Sequence, residues 1–454
     1  MLLHSEEFRI CNRTTGDVDC GMVSMIMGIL NSSGTFREAE ARRGRGCSYT
    51  LAQLFVVNLI REACGAQYAA VAPKLGPAVC RALGLPREGG RYRKPSVGTM
   101  NGFVKHVWPT MSEAFSLEYS AAVLSAELEE ADGLLLTVDG TPMEASRYNF
   151  DADFNGHYRI RMDRMHIVML NGHPLFGVHR EGNVNDSEVL GELCALLSRI
   201  RGVHGRPFKI MMVAGYDSFH CYAEMYLATG CRPRCVIRSG AAIHPEASWH
   251  SIQGLYGRMH REEGFDPHRK NDEEFVLRFL ARNGRSELVG MYLRNCEIER
   301  QAAEGGPAAG PDSGAEKASG AGAAPDAPDG GTAAGRDTDR QVCETVHHAM
   351  KRWVRFDVRG MRHATRKADA DFKFACCQVL AAIFARYTSG PTVRSVREGA
   401  GAPRLHATAE RTLPTSHQSR HGILWFVSAR RPSGARKGAG SPCFDRPADA
   451  HGLP

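Results

Sequence analysis

The chain is poor in the features that most quickly assign a protein to a class. No stretch approaches the ~20 consecutive apolar residues that a membrane-spanning helix requires, and the longest apolar runs are short ones such as LFVVNLI at 54–60. The 14 cysteines are scattered, with no Cys-x-x-Cys pair. His166 and His347 have no companion His/Cys set at zinc-ligand spacing, and Cys231 and Cys235 are too isolated to supply one, so both histidines read as ordinary polar residues. The N-terminal MLLHSEEFRI has no basic-then-apolar signal pattern, which leads us to expect reduced thiols in a cytoplasm. There is no GxxxxGK[ST] loop and no GxGxxG turn opening a helix. Nucleoside-triphosphate and dinucleotide enzymes are therefore poor candidates.

What is present is a chain of 454 residues with 43% hydrophobic content, enough for two or three domains and a sizeable core. The net charge of +7 invites a nucleic-acid reading, but its location weakens it. Residues 389–454 carry ten Lys and Arg against four Asp and Glu, so the rest of the chain is near neutrality. Any nucleic-acid surface must be a local patch.

Along the chain, 1–47 is an N-terminal segment. Residues 48–131 read as short helices joined by Gly/Pro turns, with Ser96 as one N-cap. The basic link REGGRYRKPS at 87–96 has the charge to meet phosphate. DNA binding by a helix-turn-helix is one reading of this region, and plain helical packing is the other. At 134 the periodicity changes. LLLTV is a continuous apolar run of strand length ending at Asp139-Gly140. HYRIRMDRMHIVML and PLFGVHR, separated by Asn171-Gly172, form a hairpin pattern. A helix, the strand PFKIMMV, a helix and the strand RCVIRS follow, an order that indicates an α/β sheet with helical cover. Residues 241–301 read as an insertion with one helix and one strand. From 302 to 339 the sequence collapses to Ala, Gly, Pro and Asp, with seven acids against two bases, the composition of a disordered linker. Helical patterning returns at 340 and again at 366–387, and 389–454 reads as an unstructured basic tail.

In the stretch RQVCETVHHAMKRW, Arg340, Glu344 and Lys351 fall within about 40° of one another around a helix, with His347 among them. Val342, Val346, Ala349 and Trp353 gather opposite. A solvated face with incidental ion pairs is the simple interpretation. Asp139 changes the balance, because an acid at the end of a buried strand lies where α/β folds place ligands. Further carboxylates brought to that point would make an all-oxygen site for Mg²⁺ or Mn²⁺, suited to in-line phosphoryl transfer. For Asp139, a turn-forming Asp-Gly is the competing explanation.

These residues resemble the DDE-type insertion-sequence transposases, whose third acid lies in a Tyr-x2-Arg-x3-Glu-x6-Lys signature. Arg340, Glu344 and Lys351 match its Arg-x3-Glu-x6-Lys part, while the tyrosine position falls on Asp337. LTVDG looks like the family's first-acid strand, and LFGVHREGNVNDS resembles its hairpin and following loop. The likeness covers roughly 95–388 without the 302–339 insert. It implies a ribonuclease H-like mixed sheet with flanking helices, made of 132–301 and 340–388 and preceded by the mainly helical region. It also implies a divalent metal ion and DNA cleavage followed by strand transfer. In that scheme Asp139 and Glu344 are metal ligands, Arg340 and Lys351 hold the DNA strand, and the joining of two DNA ends favours a homodimer.

The second acid departs from the pattern. Before Ala-Gly-Tyr-Asp-Ser the family places an aspartate, and this chain has Val213, which offers no oxygen to a metal. Asp217 is the nearby substitute, with capping of the following helix as its ordinary role. Asp186 reads as a cap or turn residue. Two alternatives follow: a transposase remnant that folds and binds DNA without cutting it, and a metal-dependent phosphoesterase acting on small substrates.

Overall fold

A computed structural model describes residues 8–12, 15–44, 46–130, 133–238, 241–259, 264–304 and 334–389. Most of the sequence assigned to the linker and to the basic tail lies outside these residues. At the linker's margins the structure is helical, since 302–303 close one helix and 334–339 open the next.

The first half is a helical layer: α1 (Cys20–Ser32), α2 (Gly34–Arg43), α3 (Leu51–Ala63), α4 (Tyr68–Lys74), α5 (Pro77–Ala82), α6 (Val97–Gly102) and α7 (Ser112–Glu130). Ser96 caps α6 as its sequence position implies, accepting from the Thr99 amide at 3.1 Å. A reciprocal Thr50/Gln53 capping box starts α3. All thirteen residues of α3 are buried, so this helix is a packing element and has no face to offer a DNA groove. The basic link at 87–96 forms a small exposed hairpin, β1 (Arg87–Glu88) with β2 (Arg91–Tyr92). Cys11 is joined to Cys64 by a disulfide, which corrects the expectation of wholly reduced thiols.

The sheet follows. Its strands are β3 (Leu134–Ala145), β4 (Phe154–Asn155), β5 (Ile160–Leu170), β6 (His173–Glu181), β7 (Phe208–Met212), β8 (Pro233–Cys235) and, far along the chain, β9 (Asp357–Val358). The long strands lie in the order β6-β5-β3-β7-β8, with β5 antiparallel to its neighbours and β3, β7 and β8 parallel. Asn171 and Gly172 both take positive φ in the β5–β6 hairpin, as an Asn-Gly turn requires. The helices α8 (Asp186–Ser198), α9 (Phe219–Thr229), α10 (Trp249–Arg258), α11 (Glu273–Arg282) and α12 (Ser286–Ala303) come between and after these strands. The stretch ELVGMYLRN, expected to include a strand, lies within α12. Gly290 is needed there because a β-carbon would collide with the Phe219 carbonyl where α12 crosses α9.

Two apolar cores sandwich the sheet. One holds Leu136, Val138, Val168 and Leu170 against α8 and α9. The other holds Met143, Met165, Ile167 and Met169 against α13 (Ala334–Trp353), α14 (His363–Ser389) and the helical layer. Phe372 of α14 packs edge-to-face at 5.1 Å from Phe55 of α3 and at 5.8 Å from Trp108, so the N-terminal helices and the C-terminal helix share one core. A buried ionic cluster binds the same pair. The Lys373 ammonium lies 2.8 Å from Asp369, 2.9 Å from Asp357 and 3.8 Å from Glu62, and Arg61 pairs with Glu62. Burial works against the Lys373 charge, but the three carboxylates together raise its pKa. No described helix is long and apolar enough to cross a membrane.

Candidate active site

The sequence places Asp139 at a strand end. The structure places it within β3, which continues to Ala145 along its antiparallel partner β5. What ends at Asp139 is the parallel pairing: β7 covers residues 134–138 of β3, and β9 resumes only at 144–145. The crevice is therefore a gap in one edge of a continuous strand, and Asp139-Gly140 is not a turn.

Strand alternation sends Asp139 to the α13 side, the face it shares with its cross-strand partner Ile167. There α13 presents its polar face while Cys343, Val346, Ala349, Met350 and Trp353 are buried. His347 Nδ1 lies 3.5 Å from Asp139 Oδ2. Glu344 and Lys351 are close enough for their charges to act on this group: Glu344 adds to the rise in the Asp139 pKa, and burial lowers the Lys351 pKa with Asp139 offsetting part of the drop. Burial is the largest cause pushing the Asp139 pKa up to about 6. The Gly140 amide, donating at 2.7 Å, opposes it, Asp186 and Glu344 add to it, and Arg164 offsets part of it. Burial, followed by the Lys351 charge, lowers His347 to about 4, so this imidazole is neutral at pH 7. Arg340 lies in α13 by its backbone, and its side chain is outside the described residues.

Val213, which the resemblance aligns with the family's second acid, lies at the end of β7, directly after Met212. Its amide reaches the Val138 carbonyl at 3.3 Å, beside Asp139. Asp217 does not take its place. Its oxygens accept from Arg294 at 2.7 and 3.1 Å and from the Arg238 amide at 2.9 Å, in a fully enclosed setting. Nor does it cap α9, since Ser218 does that by accepting from Cys221. Asp217 is an anchor for α12.

Asp186 is not the cap or turn residue its position suggests. It belongs to the first turn of α8, whose N-cap Asn185 makes no side-chain cap bond, and turns inward to pair with Arg164 Nη1 at 2.7 Å and to approach His166 Nδ1 at 3.4 Å. His166 in turn meets the Tyr216 hydroxyl at 3.1 Å, and its pKa is lowered to about 3, chiefly by burial. This group lies beneath Gly140 and Gly215, on the face opposite Asp139, and a β-carbon at Gly215 would collide with the Asp186 carboxylate. The alternation of Arg164 and His166 on β5 carried a signal of a shared face, but nothing in the sequence named the acid they meet. For His347, the helical phase with Glu344 was the signal.

Beyond Lys351 a cleft of ≈ 960 Å³ opens between the end of β3, the segment after α13 and the helical layer. Lys105, Lys351, Arg355, Arg359 and Arg362 line it, against Glu144 and Asp357. Asp357 is already engaged by Lys373 and Arg355. Lys105, Lys351 and Arg362 have no acid within ion-pair distance among the described residues, which leaves a cationic wall suited to phosphate.

Asp139 and Glu344 offer oxygen donors of the kind a hard cation takes, and the raised Asp139 pKa, due first to burial, is a cost such a charge would relieve. A second ion would lack a ligand at Val213. No family model, curated protein or solved structure matches the chain.

Proposed function

We propose that this chain is a DDE-type insertion-sequence transposase, a DNA-binding protein that cleaves and joins DNA strands with Mg²⁺ or Mn²⁺ held by Asp139 and Glu344. The observation that carries the reading is that Glu344 and Asp139, 205 residues apart in sequence, are near enough for the Glu344 charge to raise the Asp139 pKa, while Lys351, which also feels the Asp139 charge, lines a cationic cleft. The strand order, with the third, second, first, fourth and fifth long strands side by side and only the second antiparallel, supports a ribonuclease H-like arrangement of the sheet. A bound divalent ion would supply charge to polarise phosphate and activate the attacking oxygen. Lys351 holds the scissile strand by its phosphate, as does Arg340 in the signature, and neutral His347 orients Asp139 without adding charge. Two DNA ends call for a homodimer, working in the cytoplasm at the nucleoid.

Val213 favours a second reading in which the protein binds DNA ends but does not cut them, because one corner of the site has no ligand. The test is a nicking and strand-transfer assay on DNA carrying the element's ends, with Mg²⁺ or Mn²⁺. Metal-dependent products from the parent that vanish with Asp139→Asn support the enzyme. Products that appear only with Val213→Asp support the non-cutting form. A chain that neither cuts nor binds DNA in a salt-dependent way, while hydrolysing small phosphoesters, would sink both readings.

A further inference from the structure

We infer that Asp163, His179 and His363 form a second metal site, separate from the Asp139 crevice and suited to a divalent transition-metal ion such as Zn²⁺. Asp163 on β5 lies opposite Glu181 of β6, and Met165 lies opposite His179, so Asp163 and His179 share the face covered by α14. His363 is the first residue of α14. One donor atom from each of the three residues lies within 4.8 Å of the others. Asp163 and His179 are fully enclosed, whereas the His363 side chain is 41% exposed and gives an ion its entry path.

The hydrogen bonding favours a ligand. His179 Nε2 lies 2.8 Å from Asp163 Oδ2, and Arg366 Nε donates to the same oxygen at 2.7 Å. At that separation His179 Nε2 and Asp163 Oδ2 are spaced as two neighbouring ligands of one ion, which would displace the proton they share. His363 Nδ1 and Asp163 Oδ1 are buried without a hydrogen-bond partner. Other polar atoms among the described residues are buried in the same way, but these two lie on donor residues that already converge, and their lone pairs are open to an ion.

Charge agrees. Asp151 pairs with Arg366 at 2.8 Å, and Glu181 Oε1 lies 3.5 Å from His363 Nδ1. Asp163 and Asp151 share the Arg366 guanidinium and Glu181 lies beside His363, so the cluster holds more carboxylate than guanidinium charge, which favours a divalent cation. Two imidazoles select zinc, cobalt or nickel over magnesium and calcium. Bound there, the ion ties β5 and β6 to the start of α14. The residues just before His363, Gly360 to Arg362, line the cationic cleft, so occupancy fixes one wall of the proposed DNA path.

The experiment titrates the metal-stripped full-length chain with Co²⁺ as an optical probe, followed by Zn²⁺ displacement. Variants are His363→Ala, whose exposed position spares the core, and the double variant Asp139→Asn with Glu344→Gln. One Co²⁺ per chain is expected, with the visible bands of a low-coordinate nitrogen and oxygen site and without the charge-transfer band of a thiolate. Affinity should fall by about a hundredfold or more in His363→Ala and stay unchanged in the double variant. Metal-free melting of His363→Ala at the parent's temperature establishes that the loss is of binding, not folding. Binding that is absent, that survives His363→Ala, or that follows the double variant instead would overturn the site.

Discussion

Around Lys373, three carboxylates are buried together with the cations that answer them. Around Asp139, carboxylates gather with only the partial compensation of Arg164 and Lys351. The first cluster joins α3 to α14 and β9, and its acids are architecture. The second lies at a gap in a sheet edge; burial raises the pKa of Asp139 there as it raises that of Glu62 in the first, so the two differ in the cations paired with them and not in the direction of the shift. The difference teaches that an acid near a crevice is informative only once its partners are counted. Asp217 stands within five residues of the sheet's second-acid corner, yet its bidentate arginine makes it part of the frame.

The comparison is broken most forcefully at Lys373. Replacing it with methionine leaves Glu62, Asp369 and Asp357 buried without their ammonium, and a loss on the order of 3–5 kcal/mol is expected in thermal or urea unfolding. An unchanged melting temperature would mean that these acids are not held as a compensated set. Next in size, Asp217→Asn should cost about 2–4 kcal/mol by stranding Arg294. The same variant, once folded, should retain whatever metal-dependent DNA activity the parent shows, and specific loss of that activity would return Asp217 to the site.

Asp139 should respond with the opposite sign. Its folded pKa lies near 6 against the ordinary 3.8, so the folded state holds the proton more tightly and ionisation costs stability as pH rises between these values. In metal-free protein, Asp139→Asn should therefore melt higher than the parent above about pH 7, by on the order of 2 kcal/mol, and match it near pH 4. A destabilised variant at neutral pH would show that the carboxylate is compensated after all. The smallest effect belongs to the cleft. Lys351→Ala should reduce the salt dependence of DNA binding by about one counterion and weaken affinity evenly across sequences, as read by fluorescence anisotropy at several salt concentrations.

Much of the frame was legible because it follows local rules. The Asn171-Gly172 turn, the Ser96 cap, the apolar stripe of α13 and the alternation of strands and helices are each written in a few neighbouring residues. The site was legible where it lay on such an element, as Glu344, His347 and Lys351 do. What was hidden depended on distant partners. Asp217 and Asp186 look alike as acids at helix starts, and only Arg294 on α12 and Arg164 on β5 separate their roles. The Asp139-Gly140 pair resembles a turn because the pairing of β3 with β5 that carries it onward is set 20 to 30 residues later. The disulfide of Cys11 with Cys64 was hidden for the same reason.

One core unites residues near the start of the chain, such as Ile10 and Phe55, with Trp353 and Phe384 near its described end. On a ribosome this has a temporal consequence. The helical layer emerges first and the sheet next, but the face each turns to the shared core stays uncovered until α13 and α14 arrive. Glu344 comes with them. Glu344 and the helix that closes the core are thus delivered in one late step, so a chain interrupted before that step has neither a sealed core nor Glu344 brought toward Asp139.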